Sequence, residues 1–138
     1  MTPGLLRAWR ATEYRVAGAG TARIGLRPDA VLGRLGIRGA CLLGADNPGS
    51  RRMPEGWNRR MRSRLAAWLR GVPTWPASGV GRGWQEAHVL AALPPARAHV
   101  LARRFRQAAF VVFRRGQPAS LVIVRASQRV RGANRRGA

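Results

Sequence analysis

The sequence predicts a single domain of the α/β class, with α+β as the neighbouring possibility: a mixed β-sheet with about three helices packed on it. Three observations carry this expectation. Short apolar runs alternate with stretches of helical spacing along the chain. One run, Ala40 to Ala45, is continuously apolar yet too short for a helix, as a strand buried on both faces would be. With 46% hydrophobic residues among 138, the chain can build one core despite a formal net charge of +21.

The elements follow in order. Thr12 to Val16 and Ala22 to Gly25 read as a strand pair around Gly18-Ala19-Gly20. Pro28 and Asp29 open a short helix, proline suiting the first turn and aspartate the positive end of the dipole. Val31, Leu32 and Leu35 share its inner face, and Gly36 ends it. The buried strand Ala40–Ala45 runs straight into the turn cluster Asp46-Asn47-Pro48-Gly49-Ser50. A second helix, from about Pro54 to Arg70, places Trp57, Met61, Leu65, Trp68 and Leu69 on one apolar arc, with Asn58 inside it. Residues 71–83 read as a Gly/Pro-rich loop. Trp84 to Leu93 reads as a strand, stopped by Pro94-Pro95. The third helix runs to about Arg106 and buries Ala98, Leu101, Ala102 and Phe105, leaving His99 on its solvated side. Ala108–Phe113 and Ala119–Val124 close the domain as a hairpin around Gly116-Gln117-Pro118. The domain is expected to span residues 1–125, and residues 126–138 read as a disordered basic tail.

All 26 basic residues are arginine, against five acids. Residues 94–138 hold eleven of the arginines and no acid, so half the excess charge lies in the last third. Such a balance points to an anionic partner, although GC-rich coding produces the same composition. No segment approaches the ~20 apolar residues of a membrane span, and Met1 to Trp9 lacks the apolar region of a signal peptide. The single cysteine, Cys41, sits in an apolar run and reads as a buried, inert thiol. Two histidines and one cysteine offer no zinc-ligand spacing. The expectation is a cytoplasmic protein without a metal, cofactor or membrane partner.

The strongest candidate site is the loop Asn47 to Ser50, at the carboxyl end of the most buried strand. Asn47 and Ser50 supply an amide and a hydroxyl, and Gly49 lets backbone N–H groups approach a ligand. Arg51, Arg52 and the start of the next helix add positive charge. Asn58 needs hydrogen-bond partners on its apolar arc and can either pin this loop or touch a ligand held there. Glu86 and His88, two apart on one strand face, are the only acid/base pair in view. Their spacing of roughly 7 Å and the lack of a nucleophile weigh against catalysis and towards an ion-pairing role for Glu86. Gln107, between the third helix and the next strand, can cap the helix or reach the site.

Several of these pieces fall in a familiar order: Thr12-Glu13-Tyr14-Arg15-Val16, Ala45-Asp46-Asn47-Pro48-Gly49-Ser50, Asn58, Trp84-Gln85-Glu86 and Phe105-Arg106-Gln107-Ala108. Over roughly residues 8–124 the chain resembles the bacterial family catalogued as domain of unknown function 3293. The resemblance brings no established activity. Its pattern singles out Asn47, Pro48, Ser50, Asn58, Glu86 and Gln107. Two departures stand out, because the family usually has a small residue where Arg106 stands and often a serine near His88. The functional expectation is a small anionic ligand, such as a nucleotide or phosphorylated metabolite, held by Asn47, Ser50, Asn58, Glu86 and Gln107. The alternative is nucleic-acid binding through the arginine-rich surface and tail.

Overall fold

The computed structural model describes residues 1–124; the expected tail lies outside the described residues. The helices are α1 (Pro3–Ala11), α2 (Asp29–Leu35), α3 (Glu55–Trp68) and α4 (Pro95–Arg104). The strands are β1 (Glu13–Val16), β2 (Gly20–Ala22), β3 (Gly39–Leu43), β4 (Thr74–Gly81), β5 (Trp84–Ala91), β6 (Ala109–Arg114) and β7 (Ser120–Ile123). They form one sheet in the order β2-β1-β4-β5-β3-β6-β7, every neighbouring pair antiparallel. The expected mixed sheet is thus corrected to an antiparallel one in an α+β fold, with four helices instead of three.

The physical reason lies in how the helical crossovers are threaded. The connections β3-α3-β4 and β5-α4-β6 each join strands of the same direction, as a β-α-β unit must. Neither pair is adjacent, because β5 is inserted between β3 and β4, and β3 between β5 and β6. The segment β3-α3-β4-β5-α4-β6 therefore has the interleaved order of a ferredoxin-like split β-α-β unit. The hairpin β1-β2 extends it beside β4, and β7 extends it beside β6.

Both faces of the sheet are covered, and β3 shows how. Cys41 and Leu43 pack with Leu65 and Leu69 at the end of α3 and Ala98, Leu101 and Ala102 of α4. Ala40 and Leu42 pack on the other face with Val31 and Leu32 of α2, Tyr14, Leu90 and Phe113. The expected two-sided burial of this strand is observed. Cys41 is buried, and that burial pushes its thiol up to about 12.

Several elements depart from expectation. Residues 71–83 are not a loop, because β4 runs through them despite Pro76. The proline is tolerated where β1 ends: its carbonyl accepts the Ala17 N–H at 2.9 Å, and only the reciprocal bond is lost. Helix α1 is additional to the expected elements. Thr2 caps it, its hydroxyl accepting the Leu5 N–H at 3.1 Å, and Pro3 opens its first turn. On α3, Trp68 lies outside the core, 49% exposed, with the Arg104 guanidinium 4.2 Å above its ring. His99 is likewise not free in solvent but packs edge-on against Phe110. No helix among the described residues is long and apolar enough to cross a membrane.

Candidate functional site

The antiparallel register gathers the polar residues at one end of the sheet. Tyr14 pairs with Gly79, and Gly79 with Glu86. Continuing the β3–β5 and β3–β6 registers past their last pairs sets Asp46 beside both Glu86 and Gln107. The Gln107 Nε2 donates to the Asp46 carbonyl at 3.0 Å, as that placement requires. On the α1 side of this row opens a cavity of about 310 Å³. Leu5, Ala8, Trp9 and Thr12 line it at i, i+3, i+4 and i+7 spacing, one face of α1 continued into the residue that follows it.

Two carboxamides are held in single orientations. The Asn47 Oδ1 accepts from the Met53 N–H at 2.9 Å and from Asn58 Nδ2 at 3.0 Å, so its Nδ2 must face outward. That Nδ2 donates to Glu86 Oε1 over a long 3.5 Å. Gln107 spends its Nε2 on the Asp46 and Phe105 carbonyls, which leaves Oε1 as its free acceptor. Asn58 is buried behind the loop and does not line the cavity. Its Oδ1 accepts the Asn47 N–H at 3.0 Å, so the structure gives it the pinning role.

Glu86 and His88 face the cavity from β5, with Trp84 beside them. Burial, reinforced by the charge of Asp46 and opposed by the Asn47 amide, pushes the Glu86 carboxyl up to about 7. His88 is enclosed by Trp9 and Tyr14, both edge-on at 6.3 and 5.8 Å between ring centres. Burial pushes its imidazole down to about 4, against the pull of the Glu86 carbonyl. A neutral ring whose Nδ1 sits 3.2 Å from that carbonyl donates there, leaving Nε2 as an acceptor. Glycines make room for the ring: a Cβ at Gly79 would lie 3.2 Å from His88 Cε1, and one at Gly44 3.3 Å from Cδ2. The site is therefore rich in acceptors and walled by aromatic rings.

The raised carboxyl has a consequence for stability. Glu86 binds its proton more tightly folded than unfolded, so its contribution is complete below about pH 4.5 and is lost as pH rises through about 7. Glu86→Gln keeps a neutral side chain at every pH. The variant is expected to match the wild type near pH 4.5 and to exceed it at pH 8 by on the order of 1–2 kcal/mol. Urea denaturation at the two pH values measures this, and equal stabilities at pH 8 would contradict a buried carboxylate.

Of the residues expected to bind a ligand, Asn47, Ser50, Glu86 and Gln107 line one cavity together, and His88 lines it too. Two expectations are corrected. The loop backbone is not an anion cradle, because the N–H groups of Gly49, Ser50 and Arg51 already donate to the carbonyls of Arg106, Asn47 and Pro48. Nor does Glu86 form an ion pair among the described residues; the acids in ion pairs are Glu13, Asp46 and Glu55. Sequence reasoning missed Trp9, Thr12 and Tyr14 as wall residues. The Thr2-Pro3 cap and the 5, 8, 9, 12 spacing were the available signals for α1.

Residues 43–110 match a family model described as protein of unknown function (DUF3293). The chain carries a DUF3293 domain. The matched stretch runs from the end of β3 to the start of β6, so the DUF3293 segment coincides with most of the split β-α-β unit. It contains Asn47, Ser50, Asn58, Glu86, His88 and Gln107, whereas Trp9, Thr12 and Tyr14 lie before it. No curated protein matches the chain, and neither does any solved structure.

Proposed function

We propose that the domain binds a nucleotide, with a base carrying adjacent N–H donors, of the guanine type, seated in the cavity. The observation that carries this reading is the acceptor set around an aromatic-walled space: the Glu86 carboxylate, the Gln107 Oε1 and the His88 Nε2. A carboxylate accepts two neighbouring N–H groups side by side, and a flat ring packs well beside aromatic side chains such as Trp9 and Trp84, which line the space. The volume of about 310 Å³ lies at the small end of ligand pockets, which suits a base better than a whole nucleotide. No arginine lines this cavity among the described residues, so the anionic part of such a ligand belongs outside it.

The test is calorimetric titration of the full chain with guanosine, adenosine, cytidine and uridine. Guanosine is expected to bind tightest, and its affinity to rise with pH across 7 as Glu86 ionises. Glu86→Gln is expected to lose about tenfold in guanosine affinity at pH 8, the value of one charge-assisted hydrogen bond. Equal binding of all four nucleosides, or an undiminished guanosine affinity in the variant at pH 8, would overturn the reading.

Nucleic-acid binding through the arginines has less support from the tryptophans. Trp75 packs in the core, Trp68 lies under Arg104, and Trp9 and Trp84 line the cavity.

A further inference from the structure

We infer that Arg103, Arg104 and Arg106 form a phosphate-binding cleft next to the base cavity, taking the phosphate limb of the same nucleotide. A second cavity, about 690 Å³, is lined by these three arginines together with Gly49, Val100 and Val124. Gln107 and Ala108 line both spaces, and Gly49 of the second lies on the loop that brings Asn47 and Ser50 to the first. The two spaces thus adjoin at Gln107 and Ala108, which places the arginines beside the base cavity. This assignment rests on the nucleotide reading of the first cavity.

The charge of the cleft is uncompensated within the described residues. The five acids of the chain are occupied elsewhere. Glu13 pairs with Arg15 and Arg23, while Asp46 and Glu55 pair with Arg62. Asp29 accepts the Gly116 N–H, and Glu86 accepts from Asn47. No carboxylate among the described residues lines the cleft. Arg103 and Arg104 have an ordinary explanation, since cations favour the carboxyl end of a helix and both sit in the last turn of α4.

Arg106 does not share that explanation. It follows the helix in the left-handed region, at φ 52°, the conformation that glycine adopts most readily at such a site. Its carbonyl accepts the Gly49 N–H at 2.6 Å, so the backbone is held in this shape by the loop. A large cation stands where a glycine would relieve strain, and it lines the cleft. Planar guanidinium groups recognise phosphate oxygens two at a time.

The experiment compares guanosine, guanosine diphosphate and inorganic pyrophosphate on the wild type, Arg106→Gly and Arg103→Gln, at low and moderate salt. In the wild type the diphosphate is expected to bind about tenfold tighter than guanosine, with the increment falling as salt is added. Arg106→Gly is expected to lose most of that increment, leave guanosine affinity unchanged and raise the Tm. Arg103→Gln is expected to lose part of it without the gain in Tm. A diphosphate no tighter than guanosine, or an increment that Arg106→Gly retains, would overturn the cleft and leave the base cavity standing. Pyrophosphate binding that depends on Arg106, without guanosine binding, would support the cleft as an anion site and overturn the base reading instead.

Discussion

Arg62→Ala is expected to destabilise the domain by about 3 kcal/mol at neutral pH, the cost of stranding a buried charge. Asp46 is 5% exposed, and its Oδ2 accepts from Arg62 Nη1 at 2.7 Å. Its Oδ1 has no partner among the described residues, so the arginine is the carboxylate's one charge-assisted contact there. Arg62 also bonds Glu55, but that residue is exposed and such surface pairs contribute little. Burial already holds the Asp46 carboxyl above its ordinary range, with Arg62 the largest opposing influence. Removing the arginine raises it further, so the deficit is expected to shrink towards acid pH as Asp46 takes up a proton. A double-mutant cycle with Asp46→Asn, followed by urea denaturation, isolates the pair. In the Asp46→Asn background, Arg62→Ala is expected to cost under about 1 kcal/mol. A cost that small in the wild-type background would show that Asp46 is hydrated.

The second large effect is expected from Asn58→Ala, at about 2–3 kcal/mol. The amide is buried and makes three bonds to the loop: it accepts from the Asn47 N–H and donates to the Asn47 Oδ1 and the Met53 carbonyl. Alanine takes this partner from the Asn47 N–H and the Met53 carbonyl and leaves Asn47 Oδ1 only the Met53 N–H, in a segment that is already strained. Asn47 and Ser50 both sit in the left-handed region, at φ 49° and 64°. Once the pin is gone, that strain favours release of the loop. Amide NMR spectra should then show the largest shifts over residues 47–53, and guanosine affinity should fall although Asn58 lies outside the cavity. Shifts spread evenly over α3, with the loop unmoved, would instead make Asn58 a packing residue.

Much of this architecture was legible because it is local. The apolar run of β3, the cap glycine after α2, the spacing on α4 and the closing hairpin each declare themselves within a few residues. β4 was not legible, because its middle, Pro76 to Gly79, is proline and small residues, and its β-branched residues, Thr74 and Val80, stand near its ends. Its place between β1 and β5 comes from the partners it finds, not from its own propensity. Trp68 shows the opposite error. An apolar arc predicts which way a helix faces, yet the arc was wider than the surface α3 could bury, and its edge was covered by Arg104 instead.

For the site, the sequence by itself determined which residues could carry chemistry: a polar loop after the most buried strand, an amide on an apolar arc, one glutamate beside a histidine, and a glutamine between two elements. The tertiary structure alone decided which groups each of them meets. Antiparallel pairing set residues 46, 86 and 107 side by side though they are far apart in the chain. Packing under α1 then shielded Glu86 and His88 from much of the water and moved both from their ordinary protonation ranges. A charge count is a sum over residues, whereas a pKa or a hydrogen-bond orientation depends on neighbours supplied by the fold. Hence a single domain of helices packed on one sheet was readable from local pattern, while the antiparallel order of that sheet, the orientation of Asn47, the pinning role of Asn58 and the company of Arg106 were not.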